Sequence, residues 1–179
     1  HTMGSAKTRF SISTEKPATV AVDGLIIPVF KKTEAKAADK NKKSAEAKDP
    51  TACVLWPTGL ENTLLAELKA LAVEEKFDGS RGKTLTVRKS ASNKLKARRL
   101  IILGRGEQNS GVRSFQPRHW ENALQKTVGS LLGLQDFKSL AVALPVTEAL
   151  SAEISVALAV DAICQATSKS AEAKDSPPE

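Results

Sequence analysis

The chain has 179 residues, of which 41% are hydrophobic and only 4% are aromatic. This length fits one domain, and this composition excludes a surface rich in the aromatic rings that stack on bases. The formal net charge of +7 favours an anionic partner. No apolar run reaches the about 20 residues of a membrane-spanning helix, so we expect no membrane partner.

The first predicted elements are strands. Residues 1–6 look like a remnant of an expression vector and are left out of the fold. Alternating apolar residues predict a half-buried strand over Arg9–Thr14, and the run LIIPVF predicts a buried strand over Leu25–Phe30. Residues 31–50 are rich in lysine and alanine and contain no large apolar residue, which predicts a solvated, flexible insertion.

Helices and strands alternate in the rest of the chain. Apolar spacing predicts helices over Leu60–Phe77, from Pro117 onward, and from Thr147 to about Thr167, the last largely buried. The predicted strands are Lys83–Lys89, the central Arg98–Gly104, and Ser139–Pro145, buried on both faces. This order predicts an α/β fold with three layers (α/β/α) around a mixed central sheet. We expect one domain over residues 7–168, followed by a linker over residues 169–179.

The strand RRLIILG runs into Gly104-Arg105-Gly106, as many nucleotide sites begin. In the dinucleotide fingerprint the third glycine and a helix follow at once, so that the helix N-terminus meets the phosphates. Here the next glycine comes two positions late, and the helix starts only near Pro117. We therefore predict a tight turn leaving a central strand, with a phosphate-binding turn at Gly104, Arg105 and Gly106 as the alternative.

Cations are concentrated in Arg81–Arg99, which contains no acidic residue. No aromatic residue or nucleic-acid recognition motif accompanies them, so a solvated hairpin edge is the preferred interpretation and nucleic acid is not the expected partner.

Residues for catalysis are scarce. His119 has no paired nucleophile, and the acids are scattered without a metal-binding cluster, so we predict no catalytic residue, metal ligand or cofactor in this chain. Cys53 and Cys164 lie far apart without a CxxC motif, which favours two small buried thiols in a reducing compartment.

Three segments carry a family resemblance: FDGSRGKTLTV, LIILGRGE and the closing KSAEAKDSPPE. In this order and spacing, the chain resembles the N-terminal domain of the leucyl aminopeptidase (cytosol aminopeptidase) family over most of residues 9–179, apart from the insertion. The resemblance implies a fold like that of macro domains, without the active site. It places the two divalent metal ions (zinc or manganese) and the NTDAEGR motif in a C-terminal catalytic domain, and no matching motif occurs here.

The resemblance implies that this chain alone is no enzyme, whereas its parent is a cytoplasmic metalloaminopeptidase that releases N-terminal amino acids from peptides. Its expected partners are the C-terminal catalytic domain and the other subunits of a homohexamer, and its expected role is hexamer assembly and access to the active site. The alternative is a free-standing, macro-like module that binds a nucleotide such as ADP-ribose, or nucleic acid.

Overall fold

The computed structural model describes residues 8–32, 53–88, 90–107, 117–144 and 152–175. A short 3-10 helix (Pro17–Thr19) precedes the first strand. The elements that follow are β1 (Gly24–Lys31), β2 (Val54–Leu55), α1 (Asn62–Glu74), β3 (Thr84–Val87), β4 (Leu100–Glu107), α2 (Pro117–Leu132), β5 (Leu140–Val142) and α3 (Ala152–Asp175).

The sheet is mixed, as the sequence predicts. It has five strands, one of which, β2, is not among the strands predicted from the sequence. Its centre is the parallel pair β1 and β4, in register from Leu25 opposite Leu100. Strand β3 lies antiparallel to β4 at one edge. The other side of β1 is shared, because β5 pairs in parallel with its first residues and β2 pairs antiparallel with its last.

Helices cover both faces of the sheet. Because side chains alternate along a strand, Leu25 and Ile27 of β1 pack on the α1 side, whereas Ile26 points to the opposite face. The α1 side is filled by Leu64, Leu68 and Ala72 of that helix. On the other face, α2 and α3 pack over Ile26, Ile101 and Leu103. The predicted three-layer α/β/α arrangement is therefore confirmed.

The strand predicted at Arg9–Thr14 is wrong, because the structure assigns no strand there. Phe10 is 46% exposed and Ile12 is 76% exposed. Two apolar side chains that stay in water supply too little burial to hold a strand in a sheet.

The last helix differs from its prediction in two ways. It continues to Asp175 instead of ending near Thr167, through a segment (residues 171–174, Ala-Glu-Ala-Lys) of high helix propensity. It is also not largely buried: Ser155, Ala159, Ala162 and Ala166 form its buried stripe, while Ile154 is exposed. Small side chains at the contact let α3 approach α2 closely, so the larger ones are left at the sides.

The remaining differences concern the burial or position of single residues and of one short strand. Lys31, predicted as the start of the insertion, is the last residue of β1 and is half-buried. Strand β5 is half-buried rather than buried on both faces, since it is short and pairs only with the first three residues of β1. Neither cysteine is buried as predicted: Cys53 is a half-buried free thiol, and Cys164 is an exposed one because it lies away from the buried alanine stripe of α3.

Several predictions lie outside the described residues. These are the vector remnant at 1–6, residues 33–50 of the insertion, the start of the last helix at Thr147, and the end of the linker at 176–179. The domain limits at 7–168 and the linker at 169–179 stay predictions.

Candidate functional site at the carboxyl edge of the sheet

In open α/β sheets, ligands bind outside the carboxyl ends of parallel strands, which here are the ends of β1 and β4. Gly104, Arg105 and Gly106 lie at this edge. The predicted tight turn is wrong, because all three residues belong to β4, which continues to Glu107.

Strand β4 contains a bulge at these residues. Val29 pairs with Gly104 and Lys31 pairs with Glu107, so two residues of β4 face one of β1. This bulge is accommodated by Gly106 at φ 80°, where glycine is favoured.

The amides of the two glycines already have acceptors. The Gly104 N–H donates to the Lys83 carbonyl oxygen at 2.8 Å, and the Gly106 N–H donates to the Gly79 carbonyl oxygen at 2.9 Å. The Gly104 carbonyl oxygen in turn accepts from the Gly82 N–H at 3.0 Å. Gly79, Gly82 and Lys83, the partners in these three hydrogen bonds, belong to residues 78–83, which lie between α1 and β3. We call residues 78–83 the glycine turn. A phosphate cradled by these amides would have to displace the glycine turn.

The glycine turn packs directly on the backbone of β4. A Cβ atom added at Gly104 would collide with the Ser80 carbonyl oxygen and would lie 2.8 Å from the Gly79 carbonyl carbon. Gly79 itself, at φ 81°, approaches β1, since its Cβ position lies 3.2 Å from the Phe30 carbonyl oxygen. Glycine is therefore required at Gly104 for close approach, and no ligand is needed to explain it.

Asp78 anchors the glycine turn. Its carboxylate accepts from Lys31 Nζ at 2.9 Å and from the Ser80 N–H at 3.0 Å, and it lies 3.5 Å from Lys83 Nζ. Burial alone would raise the pKa of Asp78, but the hydrogen bonds from Ser80 and Lys31 outweigh it and hold the pKa far below its usual range. The same hydrogen bond to Asp78 raises the pKa of Lys31. The ion pair of Lys31 and Asp78 therefore connects the end of β1 to the glycine turn.

Arg105 lies between two aromatic rings. Its guanidinium carbon is 4.6 Å from the ring centroid of Phe30 and 4.9 Å from that of Trp120. Trp120, in the first turn of α2, is only 3% exposed. Burial lowers the pKa of Arg105 to about 10, so the side chain remains charged at neutral pH. This arrangement, called the aromatic sandwich of Phe30, Arg105 and Trp120, joins the end of β1 to the start of α2 through two cation–π contacts.

The sequence analysis also considered His119 and the acidic residues as candidates for catalysis or metal binding. His119 is half-buried on α2. Among the described residues, no group of three or more His, Cys, Asp and Glu could hold a metal ion. No helix in the described part of the chain is long and apolar enough to cross a membrane.

Sequence reasoning did not identify Phe30, Asp78 or Trp120 as partners of Arg105 and its neighbours. The dipeptide Asp78-Gly79 is a visible turn signal, and a carboxylate two residues before Ser80 is typical of a side-chain-capped turn. No comparable signal connects Phe30 and Trp120, because they are distant in sequence and meet only when β1, β4 and α2 pack together.

Comparison with known proteins assigns this fold to a family. Residues 26–174 match the profile described as the cytosol aminopeptidase family, N-terminal domain. The chain belongs to the cytosol aminopeptidase family. The match extends from β1 into α3 and includes the whole carboxyl edge, which confirms the resemblance seen in the sequence. A search of curated proteins found no match.

Proposed function

We propose that this chain is the non-catalytic N-terminal domain of a metal-dependent leucyl aminopeptidase whose parent releases N-terminal amino acids from peptides. The match of residues 26–174 to the N-terminal domain of the family carries this proposal. The domain would serve assembly of a homohexamer and access to the active site, with the C-terminal catalytic domain as its covalent partner.

The carboxyl edge supports a role in packing rather than in chemistry. The amides of Gly104 and Gly106 donate to the glycine turn, and the guanidinium of Arg105 lies between Phe30 and Trp120. An enzyme needs polar groups that converge on a space where a reacting atom can lie. Here the amides of the two glycines and the guanidinium of Arg105 all contact other groups of the same chain, which supports the role of a scaffold.

The metal ions of the proposed parent do not fit the residues described here. Two divalent ions require several carboxylates or other donors fixed close together, and the described residues contain no such group. We therefore assign the two zinc or manganese ions to the C-terminal domain, together with the catalytic residues. A cytoplasmic location agrees with the family's description as a cytosol aminopeptidase.

An activity assay tests this proposal. The purified chain, incubated with manganese or zinc, should release no chromophore from a chromogenic leucyl amide above a blank with metal alone. The parent protein, expressed with the reading frame beyond Glu179, should release it. Activity of the isolated chain would contradict the proposal, and so would a parent that lacks a catalytic domain.

Removing the domain tests the assembly role. A parent protein without residues 1–168 should keep its bound metal but no longer sediment as a hexamer. A truncated parent that stays hexameric with unchanged activity would show that the domain serves neither assembly nor access.

A further inference from the structure

Two serine–glutamate pairs hold the loop between β3 and β4 on helix α1. The Ser90 hydroxyl donates to Glu67 Oε2 at 2.6 Å, and the Ser92 hydroxyl donates to Glu61. Glu67 lies within α1, and Glu61 is the N-cap residue of this helix. We call these four residues the serine clasp, because they connect the loop to the helix.

The side chains of the clasp also organise the backbone of the loop. The Ala91 N–H donates to the second carboxylate oxygen of Glu67, Oε1, at 3.3 Å. The Ser92 N–H donates to the Ser90 hydroxyl oxygen at 3.0 Å, and the Lys94 N–H donates to the Ser92 hydroxyl oxygen at 3.3 Å. Each hydroxyl is therefore both a donor and an acceptor, and the conformation of this part of the loop depends on both serines.

Apolar packing begins only after the clasp. Ala91, Asn93 and Lys94 are exposed. In the described part of the loop, Leu95 and Ala97 are the first apolar side chains that pack on the core. The part of the loop before Leu95 is therefore held on α1 by polar contacts, which a change of charge can disrupt.

The end of the loop is anchored independently of the clasp. The Lys96 N–H donates to the Ala18 carbonyl oxygen at 3.0 Å. The Arg98 N–H donates to the Val22 carbonyl oxygen at 2.9 Å. Opening of the clasp would therefore release residues 90–94 and leave the end of the loop in place.

Cations flank the clasp. In the sequence, Arg88 and Lys89 directly precede Ser90, and Lys94 follows it. Serine kinases use such patterns of charge around the acceptor residue to select their substrates. Ser90 is half-buried, whereas Ser92 is only 6% exposed, so Ser90 is the more accessible acceptor of the two.

We propose that Ser90 is a phosphorylation site for a serine kinase directed by basic residues, and that the phosphate opens the serine clasp. In the reaction, Ser90 Oγ attacks the γ-phosphorus of ATP, and the bond from this phosphorus to the β-phosphate oxygen breaks. ADP leaves, and the hydroxyl proton passes to the catalytic aspartate of the kinase. The proposal is independent of the aminopeptidase assignment, which concerns the parent enzyme and its assembly.

The charge of the phosphate explains why the clasp would open. Phosphorylation removes the hydroxyl that donates to Glu67 and adds a charge of about −1.5 to −2 at pH 7. The phosphate and the Glu67 carboxylate would then repel each other at hydrogen-bond distance. Arg88 and Lys94, which are exposed beside the clasp, offer the phosphate charge-assisted hydrogen bonds outside it.

Phosphorylation of the whole chain in vitro tests the acceptor. The chain is incubated with magnesium, ATP and the catalytic subunit of a serine kinase directed by basic residues, and mass spectrometry of proteolytic peptides locates the phosphate. We expect phosphate on Ser90, and the Ser90→Ala variant should lack it. A chain that gains no phosphate at this serine would overturn the proposal.

A second variant tests whether the clasp limits the reaction. Glu67→Gln should raise the initial rate at Ser90 about threefold or more, because a neutral acceptor holds the hydroxyl less tightly than a carboxylate does. Glu74→Gln is the matched control, since it removes an exposed carboxylate from the end of the same helix. This control should react at the rate of the original chain, and equal rates in the two variants would contradict a clasp that holds Ser90.

Hydrogen exchange tests the opening itself. In the phosphorylated chain, the amides of residues 91–94 should exchange about tenfold faster or more, since the clasp no longer holds them. The amides of Lys96 and Arg98 should keep their exchange rates, because their acceptors lie outside the clasp. Ser90→Ala removes the hydroxyl without adding charge and should give a smaller increase. Unchanged exchange at residues 91–94, or an equal increase in Ser90→Ala, would refute opening by the charge of the phosphate.

Discussion

At the carboxyl edge of the sheet, Arg105 is held between Phe30 and Trp120, whereas at the amino edge the side chain of Arg98 is 73% exposed. Both arginines belong to the same stretch, RRLIILGRGE: Arg98 lies two residues before β4 begins, and Arg105 lies two residues before it ends. The carboxyl edge resembles a nucleotide site in sequence but is filled by its own chain. The amino edge has no motif, yet its charges face water. A short motif is therefore informative only when the partners of its amides and side chains are known.

The largest expected loss of stability comes from adding a side chain at Gly104, where the backbone of the glycine turn lies against β4. Gly104→Ala should lower the free energy of unfolding by about 3 kcal/mol or more, because the added Cβ meets the backbone of Gly79 and Ser80, which cannot rotate away. Urea denaturation of the purified chain measures this loss.

Gly129→Ala is the matched control. A Cβ at Gly129, inside α2, meets no atom within 4 Å, so this change should stabilise the chain by up to about 1 kcal/mol through helix propensity. If Gly104→Ala were tolerated as well as Gly129→Ala, the glycine turn would not pack on β4 as described.

A smaller effect is expected from the aromatic sandwich. Arg105→Ala removes two cation–π contacts and should cost about 1–2 kcal/mol in a denaturant titration. Arg105→Lys should recover only part of this, since the compact, strongly hydrated ammonium group lacks the planar face with which a guanidinium contacts aromatic rings. Arg88→Ala, at an exposed position, should change stability by less than about 0.5 kcal/mol. Equal effects of Arg105→Ala and Arg88→Ala would mean that the sandwich adds nothing to stability.

The ion pairs of Asp78 predict a dependence on pH. The folded pKa of Asp78 lies below its unfolded value, so its contribution is complete above the ordinary carboxyl pKa of about 3.9 and decreases as the pH falls below it. Denaturation between pH 6 and pH 2 should show a shallower acid-dependent loss in Asp78→Asn than in the original chain. Asp136→Asn, at an exposed position, should follow the original chain. A steep loss that persists in Asp78→Asn would assign the acid sensitivity to other carboxylates.

The sequence predicts the layers of this fold better than its site. Strands β1 and β4 are recognisable because their apolar runs are continuous, and α2 is recognisable because Pro117 starts an apolar stripe. The sandwich of Phe30, Arg105 and Trp120 has no such local pattern, since a contact between distant residues leaves no periodicity in the chain.

Helix α3 illustrates a different limit. Hydrophobicity favoured its large residues for burial, but the contact with α2 uses Ala159, Ala162 and Ala166. Whether a helix buries its large or its small residues depends on how closely its neighbour approaches. That distance is a property of the packed structure, which neither composition nor spacing contains.

Ligand binding at the carboxyl edge is the most direct test of the account. Thermal unfolding of the chain should show no shift with ADP-ribose or NAD at millimolar concentration, because the amides of Gly104 and Gly106 donate to the glycine turn and the guanidinium of Arg105 lies between two rings. A ligand at 100 times its dissociation constant would add about 2.7 kcal/mol, a shift of several degrees for a domain of this size. A dose-dependent rise in melting temperature that Gly106→Val abolishes would contradict the account and show that this edge is an open nucleotide site.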